Sequence, residues 1–200
     1  MANIELAVSF AENVARDDSH GYDQNDRIGT YGNYDCSGLV IMACEYAGYP
    51  VRSKYGANTT RNMYSTFKKA GAIDVTAECD LNTMAGLKRG DILLNRLHHT
   101  AFYCGSGNIV CASINELGKT TGGKSGEQTG HEIEIKPYYN YPWTDVLRFV
   151  SEDSLYNLAM DVIRGYYGNG AFRRQKLTQL GYNYREVQNK VNEIMHKNFS

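Results

Sequence analysis

The feature that most constrains this chain is the place where the spacing of its apolar residues changes. Up to about residue 70 they recur at helical intervals. Ile4, Ala7, Val8, Ala11, Val14 and Ala15 form one stripe, and Met63, Phe67 and Ala70 form another, closed by Gly71. From Leu87 onward the pattern becomes a series of short runs, 87–95, 99–105, 108–113, 131–137 and 145–150, separated by Gly, Asn or Pro turns such as Gly105-Ser106-Gly107-Asn108. Helices first and antiparallel strands second predict an α+β unit with N-terminal helices packed on a sheet. Between the two stripes lies a polar, Gly-rich stretch, 17–34, which reads as a long loop. Loops of that length in compact domains are functional or mobile.

After residue 150 the spacing turns helical again. A polar linker is expected at 151–154, followed by a small all-α module at 155–200 in which three short helices pack as a bundle. Leu155, Leu158, Ala159, Val162 and Ile163 make the first stripe, ending at Gly165. Residues 170–180 make the second, stopped by Gly181. The third opens on Asn183 with Glu186 three residues on, a capping-box pattern, and continues through Val187, Val191, Ile194 and Met195. The organisation is therefore 1–150, linker, and 155–200, a size suited to one core of ordinary size plus a small helical module.

Charge follows the same division. Residues 1–150 carry 14 Lys/Arg against 17 Asp/Glu and the rest 7 against 5, so the parts come to −3 and +2 within a net charge of −1. Neither part has the basic surface of a nucleic-acid binder. No run of 18 apolar residues is long enough to span a membrane, and the acids in the first eighteen residues do not fit a signal peptide, so synthesis in the cytoplasm is expected. The 16 tyrosines suit a surface that grips sugar rings and amides, or a partly buried core. Five cysteines, at 36, 44, 79, 104 and 111, are odd in number and contain no CxxC pair. Neither a disulfide framework nor a metal site is suggested, no cofactor is implied, and free thiols are expected.

One of those thiols is placed to do chemistry. In the run 35–49 (DCSGLVIMACEYAGY), Asp35 can cap a helix that Gly48 ends, which sets Cys36 at the helix N-terminus. A thiol at its free pKa is only about 3 % ionised at pH 7. Lowering that pKa by about 2.5 units takes roughly 3.4 kcal/mol. A helix N-terminus supplies about 0.3–1 kcal/mol, so a neighbouring imidazolium must supply the rest. The tandem His98-His99 begins the run 99–105, and strand alternation lets only one of the pair face the thiol from the strand. Spacing alone does not choose between them, and a cysteine at a helix start is more often a small core residue.

The motifs YDCSGLV, LKRGDILL and HTAFYCGSGNIVCAS, in that order across residues 30–113, resemble the NlpC/p-sixty family of papain-like cysteine peptidases. The resemblance implies a papain-like catalytic domain in which Cys36 is the nucleophile and His99 the base that passes a proton to the leaving amine, with the Cys36 backbone N–H in the oxyanion hole. It implies peptidoglycan as substrate, cut in the stem peptide at a γ-D-glutamyl bond. An N-acetylmuramoyl-L-alanine amidase on the same scaffold and a wall-binding protein with a decayed site are the alternatives. Asp35 either contacts the free amine of the wall peptide or is only a helix cap. Ser37 and Tyr34 flank the thiol and would line the groove, with Tyr34 placed to orient the thiol or the oxyanion. One position departs from the family pattern: the polar third residue twelve places after the base is Cys111. Cys111, a backbone carbonyl, Asn115 or Glu116 would then orient the imidazole, or the enzyme works as a dyad. His20 is a weaker substitute.

Residues 154–194 resemble the Cpl-seven cell-wall-binding repeat of phage lysins through Gly168-Asn169-Gly170, Arg173, Leu177, Gly181-Tyr182, Tyr184 and Val187-Gln188. The resemblance implies a three-helix bundle that binds peptidoglycan, with Arg173, Tyr182 and Gln188 as ligand contacts, because a guanidinium and a phenol suit a muropeptide's carboxylate and sugar face. With a single copy, self-association into a homo-oligomer would add avidity. Such a protein acts on the wall after release from the cytoplasm.

Overall fold

The computed structural model describes residues 2–150, 152–180 and 182–198. Ser151, expected to open the linker, and Gly181, expected to stop a helix, lie outside the described residues. The chain divides into two compact units, 1–149 and 150–200.

In the first unit, α1 (Ile4–Val14) starts where the Asn3 side chain accepts the Glu5 N–H, and it buries Ala7, Val8, Ala11 and Val14. This is the stripe read from the spacing. Helix α2 (Cys36–Tyr46) is buried along most of its length, which is why its sequence is apolar all round rather than striped. Helix α3 (Thr60–Lys69) opens on a reciprocal cap between Thr59 and Asn62 and buries Met63 and Phe67.

Six strands follow: β1 (Ala72–Asp74), β2 (Ile92–Asn95), β3 (His99–Gly105), β4 (Asn108–Ala112), β5 (Ile133–Pro137) and β6 (Asp145–Phe149). They form one sheet in the order β1-β6-β2-β3-β4-β5, with antiparallel pairing throughout. Ile92 pairs with Phe102 and Leu94 with Thr100. Ile92, Leu94, Phe102, Val110, Ala112, Leu147 and Phe149 belong to the same core as the buried residues of α1, α2 and α3. Strand alternation sends Leu93, Asn95, His99, Ala101, Ile109 and Cys111 to the other face. That second face is also closed, since Leu93, Ala101, Ile109, Cys111 and Val146 are fully buried. Strand β1 was not foreseen, because three residues carry too little alternation to read.

Two loops are bound to each other by buried side chains. Asp26 accepts the N–H groups of Tyr31 and Asn33. Asn33 accepts from Gly21 and Gly126, and the fully buried Glu132 accepts from Tyr22 and Gln128. The stretch 17–34 is thereby held against the segment that precedes β5.

The second unit contains α4 (Glu152–Ile163), α5 (Gly170–Gln179) and α6 (Tyr184–Asn198). Helix α4 already includes positions 152–154, where a linker was expected. Leu158, Ala159, Val162, Leu177, Val187, Val191 and Ile194 form its apolar cluster. Asn183 caps α6 by accepting the N–H groups of Arg185 and Glu186. No described helix is long and apolar enough to cross a membrane.

Candidate active site

Cys36 is the first residue of α2, and the cap that precedes it is complete. Asp35 Oδ1 accepts the Gly38 N–H at 2.6 Å and the Ser37 hydroxyl at 2.8 Å, while Oδ2 lies 3.5 Å from Arg27 Nε. Ser37, which the sequence placed along a groove, is buried and committed to this cap. Burial raises the pKa of Asp35, against the lowering pull of the Gly38 N–H. Gly38 is required here: a Cβ would fall 1.5 Å from the Arg27 carbonyl oxygen.

The cap sets the Cys36 sulfur at the head of β3. It lies 4.0 Å from the His98 carbonyl oxygen, and the Thr100 N–H faces it, so it meets the backbone on both sides of His99. Cys36 is only 7 % exposed and His99 9 %. Burial, with the Asp35 charge adding to it, pushes the Cys36 thiol up to about 12. Burial, with Lys136 adding to it, pushes His99 down to about 4. At neutral pH the two are thiol and neutral imidazole. A resting thiolate–imidazolium pair, which the sequence argument called for, is not the charge state that this burial favours.

The His99 ring stands among aromatic side chains. It stacks on Trp143 at 5.7 Å and 21°, and meets Tyr141 edge-on at 5.4 Å. Cys111 is buried on β4 with its sulfur 3.5 Å from Ser113 Oγ. Asn115 accepts the N–H groups of Leu117 and Lys119 and donates to the Thr121 carbonyl, while Glu116 accepts the Lys124 N–H. Both therefore organise the loop after β4. His20 lies 2.7 Å from the Gly32 carbonyl oxygen through Nδ1, with its ring against Tyr34.

Tyr34 packs into the core beside Phe10 and His20, closely enough that a Cβ on Gly29 would strike its ring. A second buried tyrosine, Tyr22, lies in the same loop. It is 2 % exposed, its hydroxyl accepts from Gln24 Nε2, and burial raises its pKa. Sequence reasoning missed it because it sits in a stretch with no periodicity. It is bridged to Tyr34, two residues before Cys36, and Glu132 accepts its N–H.

In the second unit, Arg173 donates to the Gly168 carbonyl (2.9 Å), to Gln188 Oε1 (3.1 Å) and to Asn169 Oδ1 (2.9 Å). Arg173 and Gln188 are thus brought together, while Tyr182 packs against the apolar cluster.

Residues 28–108, which contain both Cys36 and His99, match the family described as an endolysin-like domain. Residues 157–195 match the CW_7 repeat. The two matched segments do not overlap. No curated protein matches this sequence. Among solved structures, the chain is similar to the P60 domain of an antigen from M. avium subspecies paratuberculosis, at 13 % identity over 74 % of this chain and 98 % of that one, with a TM-score of 0.45. It is also similar to the peptidoglycan hydrolase RipB from Mycobacterium tuberculosis, at 19 % identity over 74 % and 67 %, TM-score 0.44. At this distance a likeness transfers no residue's role.

Proposed function

We propose that this protein is a peptidoglycan hydrolase of the endolysin kind, with a papain-like catalytic unit that cuts the wall stem peptide and a C-terminal three-helix module that holds the wall. The observation that carries the reading is the Cys36 sulfur, set at a helix N-terminus against the backbone on either side of His99, inside the segment that matches an endolysin-like domain. The CW_7 match supports wall binding through the second unit, with Arg173, Tyr182 and Gln188 as its contacts.

The neutral resting state defines the mechanism. His99 removes the Cys36 proton as the sulfur attacks the scissile carbonyl, so charge develops on both groups only in the transition state. The imidazolium then gives that proton to the departing amine. Water, deprotonated by the same imidazole, cleaves the thioester and restores the thiol. The N–H groups at the start of α2 stabilise the tetrahedral oxyanion. The bond proposed is γ-D-glutamyl.

The test is turbidity loss of purified wall suspensions together with mass spectrometry of the fragments. Cys36→Ala is expected to abolish lysis while still sedimenting with walls, and the parent is expected to leave new stem-peptide termini. Retained lysis in Cys36→Ala overturns the reading. Glycan chains freed of peptide assign the amidase reaction instead.

A further inference from the structure

A base that shuttles a proton twice must hold its ring in one orientation, and a polar partner usually supplies that restraint. The position twelve residues after His99 holds Cys111, a weak hydrogen-bonding partner already engaged with Ser113. The His99 ring instead meets two aromatic rings, Tyr141 and Trp143, of the segment that leads into β6.

That segment is fastened to β2 on both sides of Trp143. Asn95 Nδ2 donates to the Pro142 carbonyl at 2.7 Å, and the Thr144 N–H donates to the Leu94 carbonyl at 2.8 Å. Asn95 is also the cross-strand partner of His99. The two bonds therefore fix the indole in register with the imidazole. Trp143 is 7 % exposed, stacks on His99 and packs against Tyr141 at 4.8 Å. A flat ring clamped from both sides restricts rotation of the imidazole and keeps water from it.

We propose that Trp143, clamped by Asn95 and Thr144, is the positioning residue for His99 and does by ring stacking what a polar third residue would do. The proposal rests on the reading of His99 as the base. The other titratable groups on this face include Cys111 from β4, Glu134 and Lys136 from β5, Tyr139 and Tyr141 of the same segment, and Tyr103 of β3 with Tyr138 against it, while Cys36 comes from α2. Lys136 donates to Glu134 at 3.0 Å and to Ser113 at 3.4 Å, and it adds to the lowering of His99 that burial begins.

The experiment compares full-length Trp143→Phe, Trp143→Leu and Asn95→Ser with the parent. Trp143→Phe retains a stacking ring, Trp143→Leu retains apolar bulk without one, and Asn95→Ser releases the Pro142 carbonyl while the indole remains. Three readouts are taken on protein checked by its melting curve: wall hydrolysis, the His99 titration by NMR, and the pH dependence of Cys36 alkylation by iodoacetamide followed by mass spectrometry. Trp143→Phe is expected within about threefold of the parent, whereas Trp143→Leu loses roughly tenfold or more in kcat at little change in KM. Its His99 midpoint rises from about 4 towards the ordinary 6.5 as water enters, and the alkylation profile shifts with it. Asn95→Ser shifts the same readouts in the same direction.

Equal behaviour of Trp143→Phe and Trp143→Leu, or a His99 midpoint in Trp143→Leu and Asn95→Ser identical to the parent's, overturns the proposal. If Trp143→Leu does not fold, the Asn95→Ser readouts decide. If the parent itself releases nothing from peptidoglycan, the hydrolase reading falls, while titration and alkylation still decide the role of Trp143.

Discussion

His99 and Cys36 are each held neutral by burial, and this sets two pH dependences. A histidine whose folded pKa lies below its unfolded value binds its proton in the unfolded chain first, so between 6.5 and about 4 the unfolded state carries more protons and stability falls as pH falls. The contribution, present in full above 6.5, amounts to about 3 kcal/mol lost by pH 4. Denaturant titrations of the parent and His99→Gln at pH 7 and pH 4.5 are expected to show a steeper loss in the parent. If His99 is the base proposed for it, it must be unprotonated, and the acid limb of kcat/KM is expected near pH 4 rather than 6.5, which a pH–rate profile will show. Cys36 was legible as a candidate because Asp35 as a cap and Gly48 as a stop mark a helix that begins at the thiol. Tyr22 and Trp143 were not, since Tyr22 lies in a loop without periodicity and is bridged to Tyr34, while the segment of Trp143 is held by Asn95, far away in sequence.

At the scale of elements, α2 positions the chemistry, and its first turn has no spare room. Gly38→Ala is expected to lower stability by about 3 kcal/mol, read by chemical denaturation, because its methyl group would overlap the Arg27 carbonyl and the backbone must move. Asp35→Ala leaves the Gly38 N–H and Ser37 hydroxyl without their acceptor at a cost of about 2 kcal/mol, and Asp35→Asn recovers most of it. The helices and the longer strands could be read from apolar spacing and turn residues because their core faces repeat. The short β1 could not, and neither could the segment 138–144, which carries aromatic side chains but no alternation. The expected linker at 152–154 is helical, since its polar residues suit a helix start as well as they suit a loop.

For the whole molecule, the chain divides into two units, each with an apolar cluster of its own. If the second one retains the wall, Arg173→Ala is expected to reduce sedimentation with walls without slowing cleavage of a soluble muropeptide, as a pelleting assay beside a turnover assay will test. All five cysteines are free. Peroxide attacks a thiolate far faster than a thiol, and burial holds the sulfur at position 36 protonated. If the proposed hydrolase meets an oxidising medium outside the cell, it should tolerate it while idle and lose this protection only while turning over.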